Sequence, residues 1–522
     1  MNKVKGVIGG IISALVVCNM QLYANNPNPR LVVSIVVDQL RTDYMEMFSP
    51  LYSDGGLKKL MKEGRVYTNV DYPYADVNRA ASVAAIYTGS MPNVNGITSN
   101  QWIERNKYKT VGATYDESFI GYYTNERSSA RNLKVSTITD ELKYATDNKA
   151  VVISIAPEQD VAIISAGQKG NVALWYNQDN GRWSGSTFYG EFPYWANRHN
   201  EQKGKNGNGG NSVWQPMYPL AMYKYMPNGG AQETFKHSFD IANKAQYERI
   251  KQSPIINDEV SDIAEQAISF AGVGLDEVTD YITVGYYAGQ YTRTNGASAV
   301  EIQDAYVRLD KNIERVISKA EKQAGKGNVV FVLSSTGYVD KEEAIVQTEK
   351  EKAFFYDRVK ALLNMYLMAS YGDGQYISEI INNQIYFDRV FIEKKKLNLE
   401  EVISKSQEFV SQINGVYRAY TAKQIDRGEG NKEIEQIRNA YNPSCSGDIY
   451  IKVLPGFYVG QHENSIKKLE RWNATVTPFI IMGADIPSAK ITDRIDVRQI
   501  APTVCAAIRI RGPNACTEKS LQ

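Results

Sequence analysis

The segment Leu31-Val-Val-Ser-Ile-Val-Val-Asp38 is the part of the sequence that decides the fold. Its apolar, largely β-branched residues follow one another without alternation, which is typical of a strand buried on both faces of a parallel sheet. Functional loops follow the carboxyl ends of such strands. The sequence therefore predicts a site beside the carboxylate of Asp38.

Further strand and helix patterns follow along the chain. Apolar runs predict strands at 151–155, 329–333 and 479–482. Apolar residues spaced by three and four between 302 and 320 predict an amphipathic helix that Gly325 and Gly327 end. Because strands alternate with helices, we expect an α/β fold with a doubly wound, mostly parallel sheet.

Two stretches interrupt this pattern and are expected to be insertions. Between about 175 and 237 the composition shifts to Gly, Asn, Tyr and Trp, which predicts an inserted cap. Its tryptophans, Trp183, Trp195 and Trp214, are expected to pack a small core of the insert's own, with a ligand groove as the alternative. A charged, helix-rich second insertion is expected at about 342–438.

Composition and charge narrow the class of partner. The chain has 522 residues, of which 43% are hydrophobic, with 59 Lys and Arg against 58 Asp and Glu. This balance gives no electrostatic signature for nucleic acid or an anionic membrane surface. Only three histidines are present, His199, His237 and His462, which is few for an enzyme holding several zinc ions.

The first 24 residues have the pattern of a secretory signal peptide. Lys3 and Lys5 precede an apolar run at 6–17, and cleavage is expected near Ala24. The run is too short for a membrane anchor, which needs roughly 20 residues, and Val17 argues against lipid attachment at Cys18. We expect a near-neutral mature chain, 25–522, without a transmembrane segment, in the periplasm or at the cell surface.

Three cysteines remain in that expected mature chain. They are Cys445, Cys505 and Cys516, an odd number in a compartment where disulfides form. The sequence leaves their pairing open.

Five motifs together resemble one known family. They are Ser34-Ile-Val-Val-Asp-Gln-Leu-Arg-Thr-Asp-Tyr44, Ile86-Tyr-Thr-Gly-Ser-Met-Pro92 with Asn95-Gly-Ile-Thr98, Ala305-Tyr-Val-Arg-Leu-Asp310, Ser446-Gly-Asp448 and Ile500-Ala-Pro-Thr503. The chain is similar to the phosphate-irrepressible (PafA-type) members of the alkaline phosphatase superfamily from about 31 to 521. The resemblance implies an alkaline-phosphatase-like fold and, in active members, two zinc ions that hold a phosphate ester for attack by a threonine or serine.

The resemblance also places the family's site residues on this sequence. Asp38 matches a zinc carboxylate, and Asn100 matches a residue that contacts substrate. The nucleophile falls on Arg79, which cannot attack phosphorus. The remaining ligand positions fall on Tyr286, Gln290, Thr336, Gly337 and Lys467, with His462 a neighbour that a shift would bring onto the last of them. The family's phosphate-binding lysine and arginine fall on Glu158 and Asp160.

These positions predict a secreted pseudoenzyme that needs no zinc or other cofactor and has no catalytic residue. Its role would be binding or assembly in the bacterial envelope, with an envelope protein as partner and a link to secretion or outer-membrane machinery. Arg79 is expected to pair with Asp38, the alternative being an Arg79 that faces solvent beside an Asp38 that caps a helix.

Two alternatives to the pseudoenzyme stay open. The first is a metal-dependent phosphoester hydrolase with an altered site. In it Ser82 or Ser90 would be the nucleophile, and Asp38, Glu158, Asp160 and Asp304 would hold Mg²⁺ or Ca²⁺, which prefer oxygen ligands. The second is a glycan-binding protein that uses the aromatic insert.

Overall fold

The computed structural model describes residues 28–205, 211–226, 232–240, 243–291, 298–339, 352–428, 431–463, 465, 468–472 and 474–521. The strands in this part of the chain are β1 (Leu31–Asp38), β2 (Arg65–Asp71), β3 (Gln101–Glu104), β4 (Lys109–Gly112), β5 (Gly121–Tyr122), β6 (Val152–Ala156), β7 (Val172–Asn177), β8 (Arg182–Ser186), β9 (Asn211–Trp214), β10 (His237–Asp240), β11 (Asp280–Tyr287), β12 (Val329–Ser335), β13 (Ala353–Phe355), β14 (Ile377–Ile381), β15 (Gln384–Phe387), β16 (Val416–Thr421), β17 (Ile449–Val453), β18 (Tyr458–Gly460), β19 (Lys468–Leu469), β20 (Phe479–Met482) and β21 (Ala489–Asp496).

The α-helices of the same described ranges are α1 (Thr42–Met47), α2 (Leu57–Glu63), α3 (Arg79–Thr88), α4 (Pro92–Asn95), α5 (Ile138–Ala145), α6 (Gln159–Ala166), α7 (Tyr194–Lys205), α8 (Tyr247–Lys251), α9 (Ile255–Phe270), α10 (Ala299–Ala324), α11 (Tyr356–Tyr371), α12 (Arg389–Lys394), α13 (Leu399–Val410), α14 (Ala422–Arg427), α15 (Lys432–Asn439) and α16 (Ile500–Ala507). The predicted amphipathic helix at 302–320 is confirmed within α10.

A ten-stranded sheet organises the molecule, in the order β21-β2-β20-β12-β1-β11-β6-β7-β8-β5. Its central strands β12, β1, β11, β6 and β7 are all parallel, whereas β20, β8 and β5 pair antiparallel. All eight residues of β1 are buried. The predicted α/β fold with a large, mostly parallel sheet is confirmed, and the carboxyl ends of its central strands meet at one edge.

Each face of the sheet carries a separate apolar layer. Alternate residues of β1 point to opposite layers: Val33 and Val37 pack with α9 and α10, and Val32 and Val36 pack with α3, α6 and α16. This alternation follows from the two-residue period of a strand. The layer of α3 and α6 is the one that carries Arg79 and Asp160 to the carboxyl edge.

The stretch expected as a cap contributes to the central sheet before it becomes irregular. Strands β7 and β8 pair in the sheet, up to Ser186. Trp183, Trp195 and Trp214 are buried in the same apolar layer as β1 and α9. The expectation that these tryptophans form a small core of their own is wrong, because their large rings complete the main core instead.

A second, smaller sheet lies in and beyond the second expected insertion. Its strand order is β14-β15-β17-β16, and helices α11 and α13 cover it with an apolar cluster that includes Leu363, Val402 and Ile451. Because β17 takes part, this unit continues past residue 438. Residues 340–351 of the expected insertion lie outside the described ranges.

The predicted signal peptide, 1–24, also lies outside the described residues. None of the helices in the described part of the chain combines the length and the apolar character that a membrane span requires. Export, final compartment and an envelope partner stay predictions. Cys445, Cys505 and Cys516 are free thiols in this structure.

Candidate active site

The candidate site lies at the carboxyl edge of the sheet, where β1 ends at Asp38. A cavity of about 160 Å³ opens here, and Asp38, Arg79, Glu158, Lys251 and Gln290 are among the residues that line it. A second, polar cavity of about 340 Å³ adjoins it and shares Arg79, Glu158 and Lys251. We call the two cavities together the edge cleft. The loop after β1 is therefore at the site that the sequence predicted.

Arg79 is the first residue of α3 and projects into the edge cleft. The side chain of Asn78 caps this helix by accepting a hydrogen bond from the backbone N–H of Ala81, and Asn100 Oδ1 accepts one from Ala80 at 2.9 Å. Satisfying these free N–H groups fixes the start of the helix. The backbone of Arg79 is thereby fixed at the sheet edge.

Three carboxylates surround the Arg79 guanidinium. Its Nε donates to Asp160 Oδ1 at 2.8 Å and Oδ2 at 3.1 Å. Nη2 lies 3.4 Å from Glu158 Oε2, and Nη1 lies 3.7 Å from Asp38 Oδ2. Burial alone would lower the pKa of Arg79, but Asp160, Glu158 and Asp38 together raise it well above its ordinary value. Arg79 is therefore permanently cationic here.

The predicted Arg79–Asp38 pair exists, but it is the longest of the three contacts. The alternative of a solvent-facing Arg79 is excluded, because only 19% of its side chain is exposed. Asp160 is the main partner instead, held in place at the start of α6 by the backbone N–H of Val161 at 2.8 Å.

Lys251 at the end of α8 is a second cation in the edge cleft. Its Nζ lies 3.0 Å from Glu158 Oε2. Burial would raise the pKa of Glu158, but Arg79 and Lys251 lower it to about 2. Sequence reasoning missed Lys251, because it lies in no motif and its helix of five residues leaves no clear pattern.

Asp38 is held by hydroxyl groups from the loop after β12. Thr336 Oγ1 donates to Asp38 Oδ1 at 2.7 Å, and the Tyr338 hydroxyl lies 3.4 Å from Oδ2. Thr336 in turn accepts a hydrogen bond from the backbone N–H of Gln39 at 3.0 Å. Tyr338 is a further residue that the sequence analysis did not single out.

The other residues that the resemblance assigned to the site do not all lie together in the structure. Gln290 and Tyr286 both line the edge cleft. The Tyr286 hydroxyl itself is buried and shares a hydrogen bond with Ser261 of α9. Gly337 has a positive φ of 76° between Thr336 and Tyr338. Lys467 lies outside the described residues, and His462 is exposed.

The residues of the edge cleft do not fit a two-zinc site. In the ranges that the structure describes, no group of three or more His, Cys, Asp or Glu side chains is arranged to hold a metal ion. Of the positions expected for ligands, Tyr286 and Thr336 carry hydroxyl groups, Gln290 carries an amide and Gly337 has no side chain, whereas zinc prefers thiolate, imidazole and carboxylate. Asp38 keeps the right chemistry but has no histidine beside it among those described residues.

Of the alternative set of oxygen ligands, Asp38, Glu158 and Asp160 meet in the edge cleft, but they surround the Arg79 guanidinium. Asp304 is buried elsewhere, where Trp214, Tyr223 and Arg308 donate hydrogen bonds to it. Of the alternative nucleophiles, Ser82 is fully buried against Tyr74, and Ser90 is buried against Thr88. Neither serine lines the edge cleft.

Comparison with known proteins shows which family the chain belongs to. The family model described as type I phosphodiesterase / nucleotide pyrophosphatase matches residues 32–473. The chain belongs to this family. Its members are phosphoester hydrolases within the alkaline phosphatase superfamily, so the resemblance noted in the sequence is confirmed.

Curated relatives match over nearly the whole chain. Alkaline phosphatase PafA of Elizabethkingia meningoseptica is 28% identical, covering 95% of this chain and 94% of its own. Alkaline phosphatase PhoV of Synechococcus elongatus is 29% identical, covering 94% and 92%. The crystal structure of wild-type PafA superposes with a TM-score of 0.82 at 27% identity, covering 95% of this chain and 99% of that one.

These relatives overturn the expected role. A non-catalytic pseudoenzyme that works by protein binding was predicted, yet relatives spanning the full fold are named as alkaline phosphatases, and nothing found points to a non-catalytic protein. That prediction is wrong. The alternative, a metal-dependent phosphoester hydrolase with an altered site, agrees better with these relatives in the reaction that it names. Its metal dependence stays a prediction.

Proposed function

We propose that the protein hydrolyses phosphoesters in the edge cleft, with an active site that differs from the pattern expected for the family. The observation that carries this proposal is the Arg79 guanidinium, a cation with 19% of its side chain exposed at the carboxyl edge of the sheet, in a chain that belongs to a family of phosphoester hydrolases. Its planar fork of N–H donors matches the oxygens of a phosphoryl group.

The contacts of Arg79 leave donors for such a group. Only Nε makes a hydrogen bond of ordinary length, to Asp160. The 3.7 Å and 3.4 Å separations from Nη1 to Asp38 and from Nη2 to Glu158 exceed the roughly 2.7–2.9 Å of a charge-assisted hydrogen bond. A phosphoryl oxygen between these atoms would take two donors at once, with Lys251 as a further cation.

The balance of charge favours a singly charged ester. Asp38, Glu158 and Asp160 face Arg79 and Lys251, three carboxylates against two cations. A phosphodiester brings one negative charge into the edge cleft, whereas a phosphomonoester brings up to two at neutral pH. Like charges disfavour each other at short range. We therefore propose a phosphodiester as the preferred substrate.

Asp38 is the carboxylate best placed to activate water. In the proposed reaction a water oxygen bonds to phosphorus, its proton passes to Asp38, and the bond from phosphorus to the alcohol oxygen breaks. The departing oxygen takes a proton from solvent or from Lys251. Glu158 is paired with both Arg79 and Lys251, so we do not assign it this role.

The test is hydrolysis of bis(p-nitrophenyl) phosphate and p-nitrophenyl phosphate by the mature chain. We expect the diester to be cleaved with the higher kcat/KM, and Lys251→Met and Arg79→Ala to reduce that value at least about tenfold. Arg498→Ala is the matched control, since Arg498 pairs with Asp496 and Glu518 away from the cleft. Absence of cleavage of both esters by folded wild-type protein would refute the proposal.

A further inference from the structure

Three carboxylates from separate elements converge on one cation in the edge cleft. Asp38 ends β1, Glu158 precedes α6, and Asp160 lies in the first turn of α6. The exposed fractions of their side chains are 8%, 29% and 9%. Carboxylates at such burial need a nearby positive charge to stay ionised.

We infer that the Arg79 guanidinium takes the place of a divalent cation in this cleft, so that the folded protein needs no metal ion there. The inference goes beyond the proposed function, because it concerns what holds the site together and requires no turnover. It follows from the mismatch between the residues present and a zinc site, together with the three contacts of Arg79.

The geometry supports a guanidinium in this role. A metal ion would need Asp38, Glu158 and Asp160 to turn toward one point, yet Asp160 is engaged at both oxygens by Arg79 Nε. Asp38 is already a hydrogen-bond acceptor from Thr336. Glu158 is shared with Lys251. All three carboxylates are thus occupied by groups of the protein.

The sequence shows a matching exchange of charge. The resemblance places Glu158 and Asp160 where the family has a lysine and an arginine, and Arg79 where it has a neutral nucleophile. In this structure the guanidinium and these two carboxylates are in contact with each other. The two changes compensate each other in one ion-pair network.

The experiment measures metal binding and thermal stability without substrate. Wild-type protein is expected to carry less than about 0.2 equivalents of metal, and its Tm should not change with EDTA. Arg79→Ala should lower Tm by about 3–5 °C, because Asp38 and Asp160 lose their counter-charge and Glu158 keeps only Lys251. Adding Mg²⁺, Ca²⁺ or Zn²⁺ should raise the Tm of this variant but not that of the wild type.

Two further variants make the result specific. Arg315→Ala removes another arginine that bridges two carboxylates, Asp262 and Glu265, at a more exposed site. It should lower Tm less and show no rescue by cations. Arg79→Lys keeps the positive charge, so this variant should remain folded and its Tm should not respond to added metal ions. It replaces Arg79→Ala in the comparison if that variant does not fold.

Either of two outcomes would overturn the inference. One is stoichiometric metal in the wild-type protein together with a lower Tm in EDTA. The other is an Arg79→Ala variant with unchanged Tm and no response to cations. Both readouts are independent of ester hydrolysis, so a protein without activity would refute the proposed function and leave this inference standing.

Discussion

Arg79 Nε binds both carboxylate oxygens of Asp160, at 2.8 and 3.1 Å, and this contact joins the first turn of α3 to the first turn of α6. The two helices lie on the same face of the sheet. The contact therefore fixes the amino ends of the two helices relative to each other at the mouth of the edge cleft.

Loss of the Asp160 charge should destabilise the protein. Asp160→Asn leaves the shape of the side chain but removes the partner of a buried guanidinium, so the free energy of unfolding should fall by about 2 kcal/mol. Urea unfolding measures this change. Asp262→Asn, which removes an exposed partner of Arg315, is the control and should change it by less than about 0.5 kcal/mol. Equal effects of the two variants would contradict the importance of the Arg79–Asp160 contact.

Gly337 should not tolerate a side chain. Its φ is 76°, and a Cβ atom there would lie 2.5 Å from the Tyr72 ring. Gly337→Ala should lower the free energy of unfolding by about 2 kcal/mol or more and reduce kcat/KM, because Thr336 next to it holds Asp38. Gly327→Ala is the matched control, since its φ is 96° and no atom lies within 4 Å. Similar losses in both would show that backbone strain alone, without the clash, explains the effect.

The stability of the protein should depend on pH through Glu470. Burial and the nearby Asp76 carboxylate raise the pKa of Glu470 to about 7, from an ordinary 4.5. The folded state thus keeps a proton that the unfolded state loses, so the free energy of unfolding falls as pH rises from about 4.5 to 7. At pH 8, Glu470→Gln should be more stable than wild type by about 1 kcal/mol.

Thermal unfolding at pH 4 and pH 8 measures this difference. Below pH 4 the variant and the wild type should unfold at the same temperature, because Glu470 is then protonated in both states. Glu408→Gln, a change at an exposed position of α13, serves as the control and should have no pH-dependent effect. A variant less stable than wild type at pH 8 would contradict the sign of the shift.

The three described thiols should differ in reactivity. Burial raises the pKa of the Cys445 and Cys505 thiols, and both are at most 4% exposed. Cys516 is more exposed, although burial raises its pKa as well. With Ellman's reagent on the native mature chain, one thiol should react first, and Cys516→Ser should remove that phase. The other two should react only on unfolding.

The fold could be predicted from particular segments of the sequence. The run at 31–37 is mostly apolar, β-branched and without alternation, which is typical of a strand covered on both faces. The spacing of apolar residues by three and four likewise predicted α10, because one face of this 26-residue helix is buried along its length. Trp183 and Trp214 were assigned to the wrong core, because the sequence gives the size of a side chain but not the layer that it completes.

The residues of the candidate site could be predicted from the sequence, but the contacts between them could not. Asp38, Arg79, Asn100, Glu158 and Asp160 were all named from their positions in motifs. Their pairing was not, since Arg79 and Asp160 are 81 residues apart and a contact across that separation depends on how two helices dock. Lys251 lies in no motif at all.

The sequence by itself determined the α/β class and the central strand, because these depend on local pattern and on side-chain chemistry. Only the tertiary structure decided which carboxylates meet the guanidinium of Arg79. Charge pairs are set by distances of 3–4 Å, and such distances exist only after the carboxyl ends of β1 and β6 and the amino ends of α3 and α6 have been brought to one edge of the sheet.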